Sequence, residues 1–138
     1  MPRLSSWMIR VSYLYLFIGA TIGALLLVNK ATGDIQWIWV MLPAHIECMI
    51  IGFIMNLVLG TAYWIFPRYF KKPNRGHPVP AWSGFVLVNL GVLIVVFAHY
   101  LPSAEILLGA GRMTEVIGIV LFVSSLWFRV YSPPHSDG

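Results

Sequence analysis

Two of the four histidines lie within long apolar segments of the sequence, where an ionisable side chain calls for a specific role. His45 lies near the start of one such segment, and His99 lies close to the end of the next. If these segments are antiparallel helices, both imidazoles reach the same membrane boundary at similar depth. Imidazole nitrogens are axial ligands of heme iron, and apolar helix faces can cover a macrocycle. The pair predicts a heme with two histidine ligands, and a hydrogen-bonded boundary histidine is the alternative for each.

Residues that follow His45 at helical spacing extend this hypothesis. Met49, Gly52 and Asn56 fall on nearly the same helix face. Gly52 has no side chain, so a flat cofactor or a neighbouring helix could come close there. The Asn56 amide needs a partner inside a membrane, for which Asn89 or a backbone carbonyl is the candidate. The residues predicted to bind heme b are His45, His99, Met49, Gly52 and Asn56.

Acidic residues occur near the same predicted boundary. Glu47 points away from the predicted heme face, and Arg112 or Lys30 could pair with it. Glu105 and Glu115 flank Arg112 in the sequence. We expect structural roles for all three glutamates: Glu105 and Glu115 in an ion-pair cluster at the outer surface, and Glu47 directed outward, paired with Arg112 or Lys30, or in contact with a partner.

Composition places these residues in a membrane protein. The chain has 138 residues, of which 59% are hydrophobic and 10% are charged. Soluble domains have about 45–50% apolar and about 25% charged residues, and a chain this small cannot bury so much apolar surface in its own core. A soluble enzyme and a disordered segment are therefore excluded. The single cysteine, Cys48, excludes an intramolecular disulfide and a multi-cysteine metal site.

Four segments are long and apolar enough to cross a bilayer, which takes about 20 residues of helix. They are predicted at residues 8–28, 39–66, 82–101 and 113–130. The predicted fold is all-α, an integral membrane four-helix bundle over residues 1–131 with a flexible tail at 132–138. Gly19 and Gly23 form a G-x-x-x-G pattern in the first helix, which permits close approach of another helix.

The distribution of basic residues predicts the orientation, because cytoplasmic loops carry an excess of Lys and Arg. With four spans, Lys30 and Arg112 lie on one side of the membrane. The other side receives both termini, the loop between the second and third spans, and the basic residues Arg3, Arg10, Arg68, Lys71, Lys72, Arg75 and Arg129. Both termini are therefore predicted to be cytoplasmic. Topology accounts for the net charge of +4 without a nucleic-acid partner.

A family resemblance comes from the second segment, which reads LPAHIECMIIGFIMNLVLGTAYWIFPR. It resembles the second transmembrane helix of the catalytic subunit of heme–copper oxidases, and most closely the cb-type cytochrome c oxidases and nitric oxide reductases. The matching elements are Leu42-Pro43, His45, Gly52, Asn56, Gly60-Thr61, Tyr63-Trp64 and Pro67-Arg68. In that family the histidine at this place binds the low-spin heme toward the outer face. The resemblance implies this role for His45, in the inner membrane of a prokaryotic cell.

The chain departs from that family in size and in metal ligands. The family's catalytic subunit has many more helices, and the resemblance covers about the first half of this chain. In that family the second ligand of the low-spin heme comes from a late helix, which has no counterpart in this chain. The histidines that bind the copper and the high-spin heme have no counterpart either. We therefore do not expect this chain alone to reduce oxygen or nitric oxide. Within the chain, His99 is the candidate for the second axial ligand.

Three functions are compatible with the sequence. The leading hypothesis is a heme b subunit that passes electrons near the outer membrane face. Its partners would be lipid, membrane subunits of a respiratory complex or further copies of itself, and a periplasmic electron carrier. The second is a cofactor-free accessory subunit of such a complex. The third is a small four-helix transporter with Glu47 as its coupling acid.

Overall fold

A computed structural model describes residues 1–33, 36–66, 78–127 and residue 129. Within these ranges the chain is helical and contains no strand. Several features of the sequence lie outside the described residues: the basic residues Arg68, Lys71, Lys72 and Arg75, the other two histidines His77 and His135, Pro67, and the tail at 132–138.

Four helical segments of the described chain are long and apolar enough to span a membrane: Arg3–Thr32, Trp37–Ile65, Val79–Ala98 and Glu105–Trp127. This confirms the predicted all-α architecture with four spans. The first span is helix α1. It ends at Gly33, whose positive φ of 74° terminates the helix with a bond to the Asn29 carbonyl.

The second span is built from four consecutive helical pieces. They are a 3-10 helix at Gln36–Met41, helix α2 at Leu42–Glu47, a π-helix at Cys48–Met55 and helix α3 at Asn56–Ile65. Pro43 lies in the first turn of α2, where its missing N–H leaves no helical bond unmade. A π-helix is wider than an α-helix and rotates the residues that follow it. Regular 3.6-residue spacing therefore does not hold through this span.

The third and fourth spans are helix α4, Val79–Ala98, and helix α5, Glu105–Trp127. Glycines allow these two helices to approach closely. A Cβ atom on Gly118 of α5 would lie 2.7 Å from the backbone nitrogen of Val88, and one on Gly84 of α4 would lie 2.7 Å from the Gly118 carbonyl oxygen. Gly91 and Gly111 form a second close approach along the same seam. Small residues of this kind are what close helix packing in lipid requires.

Successive spans run antiparallel, so the bundle has two distinct ends. At one end, here called the histidine end, α1 finishes beside the start of α2, and α4 finishes beside the start of α5. His45 contacts α1 there at Gly23, and His99 caps α4. At the opposite end, the rings of Tyr63 and Phe122 pack with their centroids 5.8 Å apart. The apolar core continues from this pair to Met8.

Large apolar side chains also cover the outside of every span. One example from each span is Phe17, 73% exposed, Val58, 55%, Phe97, 64%, and Val120, 60%. Exposed apolar surface on this scale is incompatible with water around the bundle and fits a lipid environment. The chain is a multi-pass membrane protein in contact with the bilayer.

Candidate functional site

His45 is turned from the second span toward α1. Its Nδ1 atom lies 2.8 Å from the carbonyl oxygen of Gly19. The half-buried ring fits there because Gly23, one turn along α1, has no side chain. A Cβ atom on Gly23 would lie 2.6 Å from Cε1 of the imidazole. His45 thus packs against the two glycines of the G-x-x-x-G pattern in α1 of the same chain.

His99 stands at the C-terminal cap of α4, at the histidine end of the bundle. Its Nδ1 atom lies 2.8 Å from the carbonyl oxygen of Val95, in the last turn of the same helix. The ring is half-buried. The next residue, Tyr100, lies close enough to Cys48 of the second span for the thiol to add to the rise that burial gives the pKa of Tyr100. Helix α4 contacts both α2 and the π-helix of the second span.

Both histidines share one hydrogen-bond arrangement. A carbonyl oxygen can only accept, so each ring donates from Nδ1, and in a neutral imidazole the lone pair then lies on Nε2. In the described part of the chain, no hydrogen bond engages Nε2 of His45 or His99. Metal-binding histidines typically have their other ring nitrogen fixed by a carbonyl in this way. The donor chemistry of the two rings therefore fits axial ligation of heme iron.

The space that was predicted for a flat cofactor beside His45 is occupied by side chains of the protein itself. Tyr15 of α1 lies over Gly52, where an added Cβ atom would come 2.5 Å from its ring. Met49 packs on Gly19, with Sδ 2.8 Å from the position of a Cβ there. Met49 and Gly52 thus belong to the contact between the second span and α1. Space for a flat cofactor would have to lie toward the ring edges that carry Nε2.

Asn56 and Asn89 form a polar pair in the interior of the bundle. Nδ2 of Asn89 donates to Oδ1 of Asn56 at 3.1 Å, and Nδ2 of Asn56 donates to the Gly52 carbonyl at 2.9 Å. Nδ2 of Asn89 also donates to the Phe85 carbonyl at 2.8 Å. Both partners predicted for Asn56 are confirmed. Because Asn56 starts α3, after the π-helix, it faces α4, whereas Met49 and Gly52 face α1.

A buried acidic pair lies at the histidine end. Oε2 of Glu47 is 2.6 Å from Nη1 of Arg112, and Oε2 of Glu115 is 3.0 Å from the same nitrogen. Of the alternatives predicted for Glu47, the pairing with Arg112 is the one that the structure shows. Both glutamates are only 3% exposed, however, so the cluster is not the surface ion-pair group that the sequence suggested. Glu115 reaches the interior because α4 presents Gly91 opposite it, where a Cβ would lie 2.5 Å from Cγ of Glu115.

The chain was compared with protein-family models, with curated proteins and with solved structures, and none of the three comparisons gave a match. The resemblance of the second span to heme–copper oxidases therefore stays a prediction.

The described residues contain no group of three or more His, Cys, Asp and Glu side chains that could hold a bare metal ion. A heme makes a different demand, because the porphyrin occupies the equatorial positions of its iron and the protein supplies axial ligands only. The absence of such a group among the described residues therefore does not bear on a heme.

Arg129 is a buried cation at the opposite end of the bundle. Its Nη2 donates to the carbonyl oxygens of Tyr63 at 3.1 Å and Phe66 at 2.7 Å. Its guanidinium also lies over the Tyr63 ring, 4.9 Å from the centroid. Arg129 was predicted only as one of the orienting basic residues. In the structure it caps the last carbonyls of the second span, which a helix end leaves without partners.

Proposed function

We propose that this protein is a small b-type heme subunit that transfers electrons near the outer face of a prokaryotic inner membrane. The observation that supports the proposal is the hydrogen-bond arrangement that His45 and His99 have in common. Each is half-buried at the histidine end, donates from Nδ1 to a carbonyl and keeps Nε2 for a ligand. The heme would supply the redox chemistry, while the chain supplies axial ligands and apolar surroundings.

Two histidine ligands favour electron transfer over catalysis. A heme iron with both axial positions filled has no site for oxygen or nitric oxide. The role of His45 is also the one implied by the resemblance to the heme–copper oxidases. A subunit of this kind needs a donor and an acceptor, so partners would be other membrane subunits, a second copy of the chain and a periplasmic carrier.

The orientation is part of the proposal. With both termini in the cytoplasm, the histidine end faces the outer side of the membrane. Arg112 is engaged by Glu47 and Glu115. Lys30, which is exposed in the last turn of α1, is then the better partner for heme carboxylates at this end.

The deciding experiment is a reduced-minus-oxidised absorbance spectrum of the protein purified from heme-replete cells. We expect a b-type α-band that disappears in His45→Ala and weakens or shifts in His99→Ala. His135→Ala, outside the four spans, is the matched control and should retain the band. A colourless wild-type protein from such cells would rule out the heme.

A cofactor-free accessory subunit is the second candidate. It is favoured by the way Tyr15 fills the space at Gly52, and by the packing of His45 on Gly23. In this case the role of His45 would be structural, because its hydrogen bond to Gly19 would hold α1 against the second span. Deleting the chain should then disrupt assembly of its membrane complex, and the purified chain should carry no heme.

A further inference from the structure

Two arginines and a tryptophan of α1 lie on one exposed side of the helix, at the end of the bundle opposite the histidines. Arg3, Trp7 and Arg10 follow one another at intervals of four and three residues, so they are neighbours on successive turns. All three residues are exposed. The other side of α1 is packed, because Leu4 and Met8 belong to the buried core at this end. The surface formed by Arg3, Trp7 and Arg10, here called the arginine face, therefore points away from the bundle.

The positive charge of the arginine face is not balanced by the described part of the chain. None of the hydrogen bonds and ion pairs of the described residues engages Arg3 or Arg10. The acidic side chains of the described part all lie at the histidine end: Glu47, Glu105 and Glu115. Two guanidinium groups are thus left for a negatively charged group from outside these residues.

Tryptophans indicate the level of the arginine face in the bilayer. Four exposed tryptophans each adjoin a member of the same buried core cluster: Trp7 beside Met8, Trp64 beside Tyr63, Trp82 beside Ala81, and Trp127 beside Leu126. Exposed tryptophans are enriched at the level of the lipid headgroups. From Trp7 to Lys30, α1 rises about 35 Å, and the hydrocarbon core of a bilayer is about 30 Å thick. The arginine face therefore lies at headgroup depth.

The chemistry of the face suits the phosphate group of a lipid. A planar guanidinium can donate two parallel hydrogen bonds to phosphate oxygens. The Cα–Cβ bonds of a helix tilt toward its N-terminus, so a side chain as long as that of Arg10 can extend back to the headgroups. The indole N–H of Trp7 is a further donor at this level. A lipid with net negative charge would also supply the missing counter-charge.

We propose that the arginine face binds the headgroup of an anionic phospholipid of the surrounding bilayer. The lipid phosphate accepts hydrogen bonds from Arg3 and Arg10. Its chains lie along the apolar surface with which the same side of α1 continues, at Leu14 and Phe17. With both termini in the cytoplasm, this end lies in the leaflet whose anionic lipids attract basic residues. Because the site belongs to α1 alone, the proposal does not depend on the heme.

The test is native mass spectrometry of the full-length protein in detergent, titrated with phosphatidylglycerol or with phosphatidylcholine. We expect the wild type to bind phosphatidylglycerol more tightly. Arg3→Gln and Arg10→Gln should each weaken this binding about five-fold, which corresponds to about 1 kcal/mol for a basic residue near an anionic surface.

Lys30→Gln is the matched control, because it removes one exposed charge from the other end of the same helix. It should keep the preference for phosphatidylglycerol. The proposal is overturned if the wild type binds the two lipids equally. It is also overturned if neither arginine variant binds phosphatidylglycerol more weakly than Lys30→Gln does.

Two further measurements separate a lipid from other negatively charged or protein partners. Inorganic phosphate at the concentration of the lipid should not displace phosphatidylglycerol, because the lipid chains add apolar contact. Displacement would mean that the face binds a free anion, which contradicts the proposal. The double variant Arg3→Gln/Arg10→Gln should keep the oligomeric state of the wild type in light scattering. A wild-type dimer that dissociates in this variant, with lipid preference unchanged, would show that the face binds a second copy instead.

Discussion

The imidazole of His45 and the backbone of Gly19 are hydrogen-bonded across two helices, with Nδ1 and the carbonyl oxygen 2.8 Å apart. A helix carbonyl can accept this second bond because Gly19 has no side chain to shield it. Gly23 then leaves room for the ring. A pattern that usually indicates helix association between chains thus serves an association within one chain.

The first prediction concerns the space at Gly23. An alanine there would place Cβ 2.6 Å from Cε1 of His45, so the ring must move and its bond to Gly19 weakens. We expect Gly23→Ala to lower the free energy of unfolding by about 1–3 kcal/mol, as overpacking does. Denaturant titration in mixed micelles measures this.

Gly109→Ala is the control for that measurement. Gly109 is an exposed helical residue on α5, and nothing lies within 4 Å of an added Cβ. Alanine should therefore stabilise this helix by up to about 1 kcal/mol through its higher helix propensity. Equal stabilities of the two variants would contradict the packing of His45 on α1.

Much of the fold followed from the sequence because a membrane span needs only length and apolar composition. The four predicted spans agree with the structure for this reason. The predicted helix ends were less accurate, because apolar composition indicates the part of a helix that lies in lipid and not the residue at which the helix ends. Helix α1 runs through Arg3–Thr32, beyond the predicted segment 8–28, and stops only at Gly33.

The relative positions of helix faces were harder to predict. In a membrane bundle the lipid-facing side is as apolar as the core, so hydrophobic patterning does not separate the two. The π-helix at Cys48–Met55 then shifted the register, which turned Asn56 to α4 and left Gly52 on α1. Pairing with Arg112 was one of the alternatives for Glu47, but the burial of Glu47 and Glu115 was not predicted.

The second prediction tests that seam. A Cβ on Gly118 would lie 2.7 Å from the backbone nitrogen of Val88 and 3.0 Å from the Gly84 carbonyl. Backbone atoms of a packed helix cannot move aside as the His45 ring can. We therefore expect Gly118→Ala to lower the free energy of unfolding more than Gly23→Ala does, by an amount at the upper end of about 1–3 kcal/mol. The same denaturant titration ranks the two, and the reverse order would contradict the close contact of α4 and α5.

The third prediction concerns the amide pair. Asn56 and Asn89 should show a coupling energy of about 0.6 kcal/mol, and at most about 1.7 kcal/mol, in a double-mutant cycle of Asn56→Leu and Asn89→Leu, as polar pairs in membranes do. The coupling is limited because each amide keeps a backbone carbonyl as a second partner.

A matched cycle controls for general effects of leucine. Thr21 is exposed and its hydroxyl donates to the Phe17 carbonyl of its own helix, with no other partner among the described residues, so Thr21→Val and Asn56→Leu should be additive. Additivity of the two asparagine changes as well would mean that the hydrogen bond between them contributes nothing to stability.

The fourth prediction concerns the cap formed by Arg129. Its planar guanidinium reaches two carbonyls of the second span and lies over the Tyr63 ring, a combination that an ammonium group cannot reproduce. Arg129→Lys should therefore cost about 1–3 kcal/mol of stability, the value of a hydrogen bond to a charged group. Arg10→Lys, at an exposed position of α1, should change stability little. If both variants unfold like the wild type, Arg129 orients the chain in the membrane through its charge and does not hold the end of the second span.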